Sequence, residues 1–427
     1  MVRAALGSGV AHRRTVFEMF ARQLPGGRRY GVVAGTGRFL EALAGFRFSA
    51  GEIDYLTGAG VIDEPAADFL ESYRFGGSIW GYAEGDCYFP GSPILVVDAP
   101  FAEAVVLETL ALSVFNHDCA IASAGSRMVT AAGGRPVIEM GSRRTHELAA
   151  VAAARAAYVA GFASTSNLRA GIDYGVPTAG TSAHAFTLVH DDERQAFTAQ
   201  VKALGAGTTL LVDTYDVAQA VRAAVERAGV GLGAVRIDSG DIAAVAKAVR
   251  AELDSLGATG TRIVATGDLD EHSIAQLASA PVDGYGVGTA LVTGSGMPTA
   301  ALVYKLVARQ DGSGQLRAVA KNSTGKPTIG GRKWAIRGLD VSGTATAEVV
   351  STSPPGDGEG AAPGHRVLLR RLVADGEIVG REPLGAARDR HKHALGELPA
   401  EALRLSAGLP AIPTVMKANG HESHGPA

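Results

Sequence analysis

The chain is an α/β protein by its pattern, an irregular (β/α) barrel of parallel strands joined to a mixed α+β domain, and three observations carry that reading. From about Gly207 onward an apolar, β-branched run, a short polar turn and an alanine-rich stretch of helical length recur in the same order. The strand-like runs are almost continuously hydrophobic, which fits strands buried on both faces beneath covering helices. The 56 glycines stand singly or in pairs between these runs, in the places where turns at strand ends need them.

Taken in order, residues 1–115 carry short strands at 31–34 and 94–97, turns at Pro25-Gly26 and Pro90-Gly91, and the start of an amphipathic helix over 101–127. A strand at 136–139 and a helix at 147–159 open the alternating region. Strands at 208–212, 234–238, 261–265 and 284–287 continue it, with helices at 217–227 and 242–256 between them. Past residue 302 the alternation gives way to Lys/Arg-rich strand-like pieces, and the Pro/Gly-rich stretch 351–364 reads as a loop. The expected domains are therefore a mixed one from 1–115 and 310–416, a barrel over 116–309, and a disordered tail at 417–427.

Composition excludes several classes of function. At 427 residues the chain holds two or three domains, on a prior of roughly 150 residues each. Cys87 and Cys119 are too few and too far apart for a disulfide framework or a cysteine zinc site, which suits a reducing cytoplasm. No apolar run reaches the roughly 18 residues of a membrane span, and Arg3, His12, Arg13 and Arg14 interrupt any signal-peptide core. Forty basic residues against 43 acidic ones, with no long basic block, leave no electrostatic footprint for nucleic acid. A small-molecule ligand is expected.

In a parallel barrel, ligands bind where strands end, so the residues after each run are the informative ones. They read Asp213-Thr214-Tyr215-Asp216, then Arg236-Ile237-Asp238-Ser239-Gly240-Asp241, then Thr266-Gly267-Asp268, and Gly286-Val287-Gly288-Thr289. The last two suit phosphate-binding turns, where glycine lets the backbone approach an anion, although ordinary tight turns have the same composition. Arg236 and Asp238 are two apart on one strand and share a face. The pair fits a sugar phosphate, the guanidinium gripping phosphate oxygens and the carboxylate holding hydroxyls or Mg²⁺; a structural ion pair is the alternative. Arg143 and Arg144 follow Glu139-Met140-Gly141-Ser142, either facing the cavity or lying at a solvated helix start. Ser164-Thr165-Ser166-Asn167 lines a polar pocket or caps the following helix. His184, among the small neighbours of Gly180-Thr181-Ser182-Ala183, reads locally as either a hydrogen-bonded core histidine or a catalyst.

Together these segments resemble the nicotinate phosphoribosyltransferases along nearly the whole chain. The motifs are Met140-Gly-Ser-Arg-Arg, Ser164-Thr-Ser-Asn, Gly180-Thr-Ser-Ala-His-Ala-Phe, Leu211-Val-Asp-Thr-Tyr-Asp, Ile237-Asp-Ser-Gly-Asp, Gly286-Val-Gly-Thr and Lys326-Pro-Thr-Ile-Gly-Gly-Arg-Lys. The resemblance implies the TIM-like barrel of the type II phosphoribosyltransferases. It also implies an NAD-salvage reaction in which nicotinate displaces pyrophosphate from phosphoribosyl pyrophosphate with Mg²⁺, driven by ATP through a phosphorylated histidine, here His184. By the same carry-over Arg236 and Asp238 hold pyrophosphate and ribose. Gly267 and Gly286, Gly288 and Thr289 take the 5′-phosphate, and Arg143 meets the carboxylate or pyrophosphate. Arg144, Thr165, Asp213, Ser239 and Asp241 join the substrate-binding set, with Asp238 or Asp241 reaching Mg²⁺ beside the phosphates. Ser166 lies where nicotinamide-using relatives carry an aspartate, and a hydroxyl there does not repel an acid.

Two departures qualify the resemblance. Met140 replaces a base-stacking aromatic, and its polarizable sulfur can pack against a pyridine ring. The family also opens with Asp-X-Tyr followed by Thr-Met, the tyrosine facing nicotinate across a homodimer interface, whereas this sequence starts at the methionine. The expectations are an upstream segment or a shortened, inactive relative. A quinolinate-type or nicotinamide-type phosphoribosyltransferase and a non-catalytic nucleotide binder are the alternative readings.

Overall fold

The computed structural model describes residues 1–321, 328–355, 363–418 and 421–424. It divides into two compact units, Met1–Ala120 with Thr299–Ala427, and Ile121–Pro298. The expected barrel boundaries of 116 and 309 compare with 121 and 298.

The second unit contains a six-stranded sheet, parallel throughout, in the order Ser164–Thr165, Val137–Glu139, Gly284–Val287, Arg262–Ala265, Ala234–Ile237, Thr209–Leu211. It is a half-barrel: beyond the Ser164–Thr165 edge, among the described residues, there is a single bridge, from Thr165 to Thr178. The Ala234–Ile237 and Gly284–Val287 strands are buried at every position, the first with Arg236 as its one charged residue. The intervening helices begin on aspartates that close each strand-to-helix turn. Asp216 accepts from Gln219 N at 2.8 Å to start Val217–Ala228, and Asp241 accepts from Ala244 N at 3.1 Å to start Ile242–Ser255. Capping in this way fixes where each strand end points.

The first unit is built on a seven-stranded antiparallel sheet, ordered Leu316–Ala318, Leu302–Gln310, Arg14–Ala21, Leu95–Pro100, Ser78–Tyr82, Leu369–Ala374, Glu377–Ile378. Phe17 and Tyr304 stack between the Arg14–Ala21 and Leu302–Gln310 strands with centroids 4.9 Å apart. A five-stranded sheet contains Trp334–Leu339 and Ala345–Ser351, which hold a fully buried Arg337–Glu348 ion pair joined by Tyr82 and Ser92 hydroxyls. The expected helix over 101–127 is two, Phe101–Val106 and Glu108–Ala132, separated by a turn at Leu107. The expected disordered tail differs in part. Thr414–Ala418 pairs parallel with Ala345–Ser351 and offers its free edge to His421–His424. Residues 419, 420 and 425–427 lie outside the described residues, as do 326 and 327 of the Lys326 motif and 356–362 of the expected loop. Among the described residues no helix is long and apolar enough to cross a membrane.

Candidate active site

The strand ends of the second unit converge on a cavity of about 140 Å³. Met140, Arg143 and Arg144 line it from the turn after Val137–Glu139, and Arg236 and Asp238 from the end of Ala234–Ile237. Thr266, Gly267 and Asp268 close one side, and Gly286, Gly288 and Thr289 another. Three guanidiniums thus share a small volume with carboxylates and glycine turns, a cation excess that suits a polyanionic ligand.

Arg236 is the hub. Its Nε donates to Thr266 Oγ1 at 2.9 Å, one Nη to Asp238 Oδ1 at 2.7 Å and the other to Thr181 Oγ1 at 2.7 Å. Only 8 % of the residue is exposed. Burial by itself would raise the Asp238 carboxyl. The hydrogen bond from Thr266, then the bond and charge of Arg236 and the nearby His184, hold it below the usual carboxylate range instead. Asp238 is therefore an anion at neutral pH, with Oδ2 still available.

His184 opens the short helix His184–Leu188. Its Nδ1 lies 3.1 Å from Thr214 Oγ1, and its Nε2 lies 3.9 Å from Asp238 Oδ2 and 4.0 Å from Asp213 Oδ1. Asp213 uses its other oxygen to accept from Asp238 N and Ser239 Oγ, both at 2.8 Å. Its Oδ1 is buried without a hydrogen-bond partner. Ser239 thus acts through Asp213, and neither it nor the helix cap Asp241 lines the cavity.

The polar run 164–167 is spent on local structure. The Thr165 hydroxyl donates to Glu139 and accepts from Asn167 N at 2.9 Å, while Asn167 Oδ1 caps Leu168–Tyr174 through Ala170 N at 2.9 Å. Ser166 is exposed, its N–H donating to Glu139 O at 2.8 Å. Thr165, Ser166 and Asp213 therefore stand outside the cavity lining, unlike Met140, Arg143, Arg144, Arg236, Asp238 and the glycine turns.

The glycines are required by contact as well as by dihedral angle. Gly267 has φ +102°, and a Cβ there would stand 2.3 Å from Asp238 O. Asp268 follows at φ +51°, a left-handed position rare for residues other than glycine, asparagine and aspartate. A Cβ on Gly286 would stand 2.7 Å from Met140 Sδ, so the thioether lies directly over that strand end.

Comparison with known proteins accords with this geometry. Residues 1–116 match the nicotinate phosphoribosyltransferase N-terminal domain, and residues 121–295 the quinolinate phosphoribosyl transferase C-terminal domain. A nicotinate phosphoribosyltransferase of Mycobacterium tuberculosis is 58 % identical over 422 residues, covering 97 % of this chain and 92 % of the relative. The chain belongs to the nicotinate phosphoribosyltransferase family. A member from Bacillus subtilis is 36 % identical over 344 residues, covering 78 % of this chain and 70 % of its own. The crystal structure of human nicotinic acid phosphoribosyltransferase superposes with a TM-score of 0.79 at 25 % identity, over 97 % of this chain and 96 % of that one. The fold is also that of nicotinate-nucleotide pyrophosphorylase from Pyrococcus furiosus, TM-score 0.74 at 23 % identity, over 95 % and 94 % of the two chains.

Four further residues, read above only as parts of the strand-end runs, stand at the site. Thr266 and Asp268 line the cavity, Thr214 holds the His184 ring, and Glu139 binds Gly141 N and the Thr165 hydroxyl beneath the arginine turn. Thr266 was legible, since it ends its strand as Asp238 ends the neighbouring one. Thr181 had no signal beyond its place in the histidine motif.

Proposed function

We propose that the chain makes nicotinate mononucleotide and pyrophosphate from nicotinate and phosphoribosyl pyrophosphate, in NAD salvage, with ATP hydrolysis coupled through phosphorylation of His184. The observation that carries this reading is the convergence of Arg236–Asp238, the arginine turn and two glycine turns on one cavity, with His184 Nε2 3.9 Å from Asp238 Oδ2 and 4.0 Å from Asp213 Oδ1. The nicotinate ring nitrogen attacks C1′ of the ribose, and the bond from C1′ to pyrophosphate breaks with its electron pair on the leaving oxygen. Arg143, Arg144 and Arg236 stabilise that developing charge, and Asp238 holds ribose hydroxyls. The phosphoryl group passes from ATP to His184 and then to water, leaving ADP and phosphate.

Among the described residues no group of three or more His, Cys, Asp or Glu could hold a metal. Mg²⁺ would be carried mainly by substrate phosphates, with Asp238 Oδ2 within reach and Asp241 committed to its helix cap by one oxygen. Bound there, the ion would neutralise pyrophosphate charge. Buried free cysteines, Cys87 and Cys119, accord with a cytoplasmic setting. Met140 covers one side of the ring position, and a homodimer partner supplying the other side completes the reading.

Incubating the chain with nicotinate, phosphoribosyl pyrophosphate, Mg²⁺ and ATP should yield the mononucleotide and ADP. His184→Ala should abolish ATP hydrolysis and leave slow, uncoupled mononucleotide formation; unchanged ATP turnover in that variant overturns the phosphohistidine. A quinolinate-type reaction, favoured by the match over residues 121–295, would release CO₂ from quinolinate without need of ATP.

A further inference from the structure

The first unit holds a cavity of its own, of about 240 Å³, which shares no lining residue with the strand-end cavity of the second. Thr36, Ala83, Glu84 and Leu372 form its buried floor. Arg370, Arg371, Arg381 and Glu382 form its exposed rim, and the helix Thr36–Gly45 starts in it.

A close backbone approach brings the three arginines together. Arg370 and Arg371 are consecutive on the strand Leu369–Ala374, and Arg381 returns to them because Val379 N and Gly380 N both donate to Leu372 O at 3.0 Å. A Cβ on Gly380 would stand 2.7 Å from Leu372 Cα, so the return depends on glycine. Like charges gathered in this way raise a positive potential over the cavity, to which the helix start adds.

The carboxylates at the cavity are engaged elsewhere. Glu84 accepts from Gly35 N at 2.6 Å with one oxygen and from Gly37 N at 3.2 Å with the other, closing the helix start. Glu382 accepts a two-pronged bond from Arg390, at 2.5 and 2.6 Å. Arg371 reaches Asp375 at 3.2 Å, a weak pair because the Asp375 side chain is 85 % exposed. Among the described residues, Arg370 and Arg381 make no hydrogen bond or ion pair. Beneath them the Thr36 hydroxyl is buried without a hydrogen-bond partner, in a residue only 4 % exposed, where native proteins ordinarily place a water or a ligand.

We propose that this cavity binds a phosphate group, free or carried by a small monoester. Arg370 and Arg381 grip its oxygens with charge-assisted bonds, and Arg371 adds its charge beside them. Leu372 and Val379 give the carrier an apolar wall. Pockets for drug-sized ligands begin at roughly 300 Å³, so this one takes the phosphate and part of its carrier but not a dinucleotide. The inference is independent of the proposed reaction, whose residues lie in the other unit.

Hydrogen exchange of the full chain with inorganic phosphate, and separately with AMP, tests this against potassium chloride at matched ionic strength. Both phosphate sources should slow exchange in residues 36–45 and 369–382. Equal potency assigns the free ion as ligand, and greater potency of AMP assigns the ester. Arg370→Gln combined with Arg381→Gln, both at exposed positions, should require at least about tenfold more phosphate for the same slowing, since charge-assisted bonds are lost. Exchange in residues 236–289 of the second unit should respond to either ligand as it does in the unsubstituted chain. No slowing in residues 36–45 and 369–382, slowing matched by chloride, or slowing that persists undiminished in the double variant overturns the proposal. So does a loss in the variant that extends to residues 236–289, which marks a change in the whole protein rather than in a ligand site.

Discussion

Asp238 is held by two neighbours and offers its remaining oxygen toward His184, so one carboxylate serves both halves of the proposed reaction. Oδ1 accepts from Arg236 and Thr266, and Oδ2 lies 3.9 Å from His184 Nε2. Asp238→Asn keeps the shape but replaces charge-assisted bonds by neutral ones, a difference of about 1.5 kcal/mol or more, or roughly tenfold in binding. We expect the KM for phosphoribosyl pyrophosphate to rise at least about tenfold while that for nicotinate changes little; equal losses for the two substrates would mean that the carboxylate only maintains the strand end. Asp213 differs in kind. Its Oδ2 is occupied by Asp238 N and Ser239 Oγ, and its buried Oδ1 faces His184 without a partner. Ser166 is a milder case, because its side chain is exposed beside the arginine turn. Ser166→Asp, although outside the cavity lining, should shift the ratio of kcat/KM from nicotinate toward nicotinamide through repulsion of the acid, and an unaltered ratio means that the residue is too far from the ligand to act on it.

The strand-to-helix turns are the elements that make the cavity, and two of their glycines separate dihedral strain from contact. Gly240 has φ +80° but open space where a Cβ would go, the nearest atom being Val245 Cγ2 at 3.8 Å; Gly267 has φ +102° and Asp238 O at 2.3 Å. Gly240→Ala should cost only backbone strain, about 1–3 kcal/mol. Gly267→Ala should cost more and also displace Asp238, so thermal melts should show the larger drop for Gly267→Ala and only that variant should lose phosphoribosyl pyrophosphate binding. Equal effects on both would remove the contact from the argument. These turns were legible in the sequence because parallel strands buried on both faces end abruptly in polar residues. The first unit was less so. Arg14–Ala21 hides its strand character behind Glu18, whose charge is compensated by Lys333 at 2.5 Å, 315 positions along the chain. No local window contains that pairing. The same holds for Thr181, whose hydroxyl accepts from an arginine 55 residues away. The aspartates Asp216 and Asp241 were legible as strand-end residues, but their use as helix caps depends on the backbone geometry that follows them.

At the scale of the whole molecule a buried histidine in one unit and a half-buried glutamate in the other titrate in opposed senses. In the first unit, burial drives His391 down to about 4, against the hydrogen bond to Gly85 O that favours the charged ring. An unfolded histidine titrates near about 6.5. The stability this group contributes is present above the unfolded value and is lost as pH falls from there through about 4, because the unfolded chain takes up a proton that the native one refuses. In the second unit, burial, and then the charges of Asp213 and Asp216, raise Glu193 to about 7, and its Oε1 is buried without a partner. An unfolded glutamate titrates near about 4.3. Here the native state holds the extra proton, so the contribution is fully present below the unfolded value and is lost as pH rises through about 7. Acid should therefore loosen the first unit and mild alkali the second. Hydrogen exchange at pH 5 and pH 8 should show faster opening around residues 384–396 at the lower pH and around residues 193–204 at the higher. His391→Gln, which cannot charge, should flatten the acid-side change and leave the second unit as it was. Glu193→Gln should raise protection of the second unit at pH 8 and do little at pH 5. If exchange in either region is indifferent to pH, or if Glu193→Gln leaves the pH 8 protection unaltered, then the carboxyl is ionised and solvated in the native protein and the opposed titration of the two units fails.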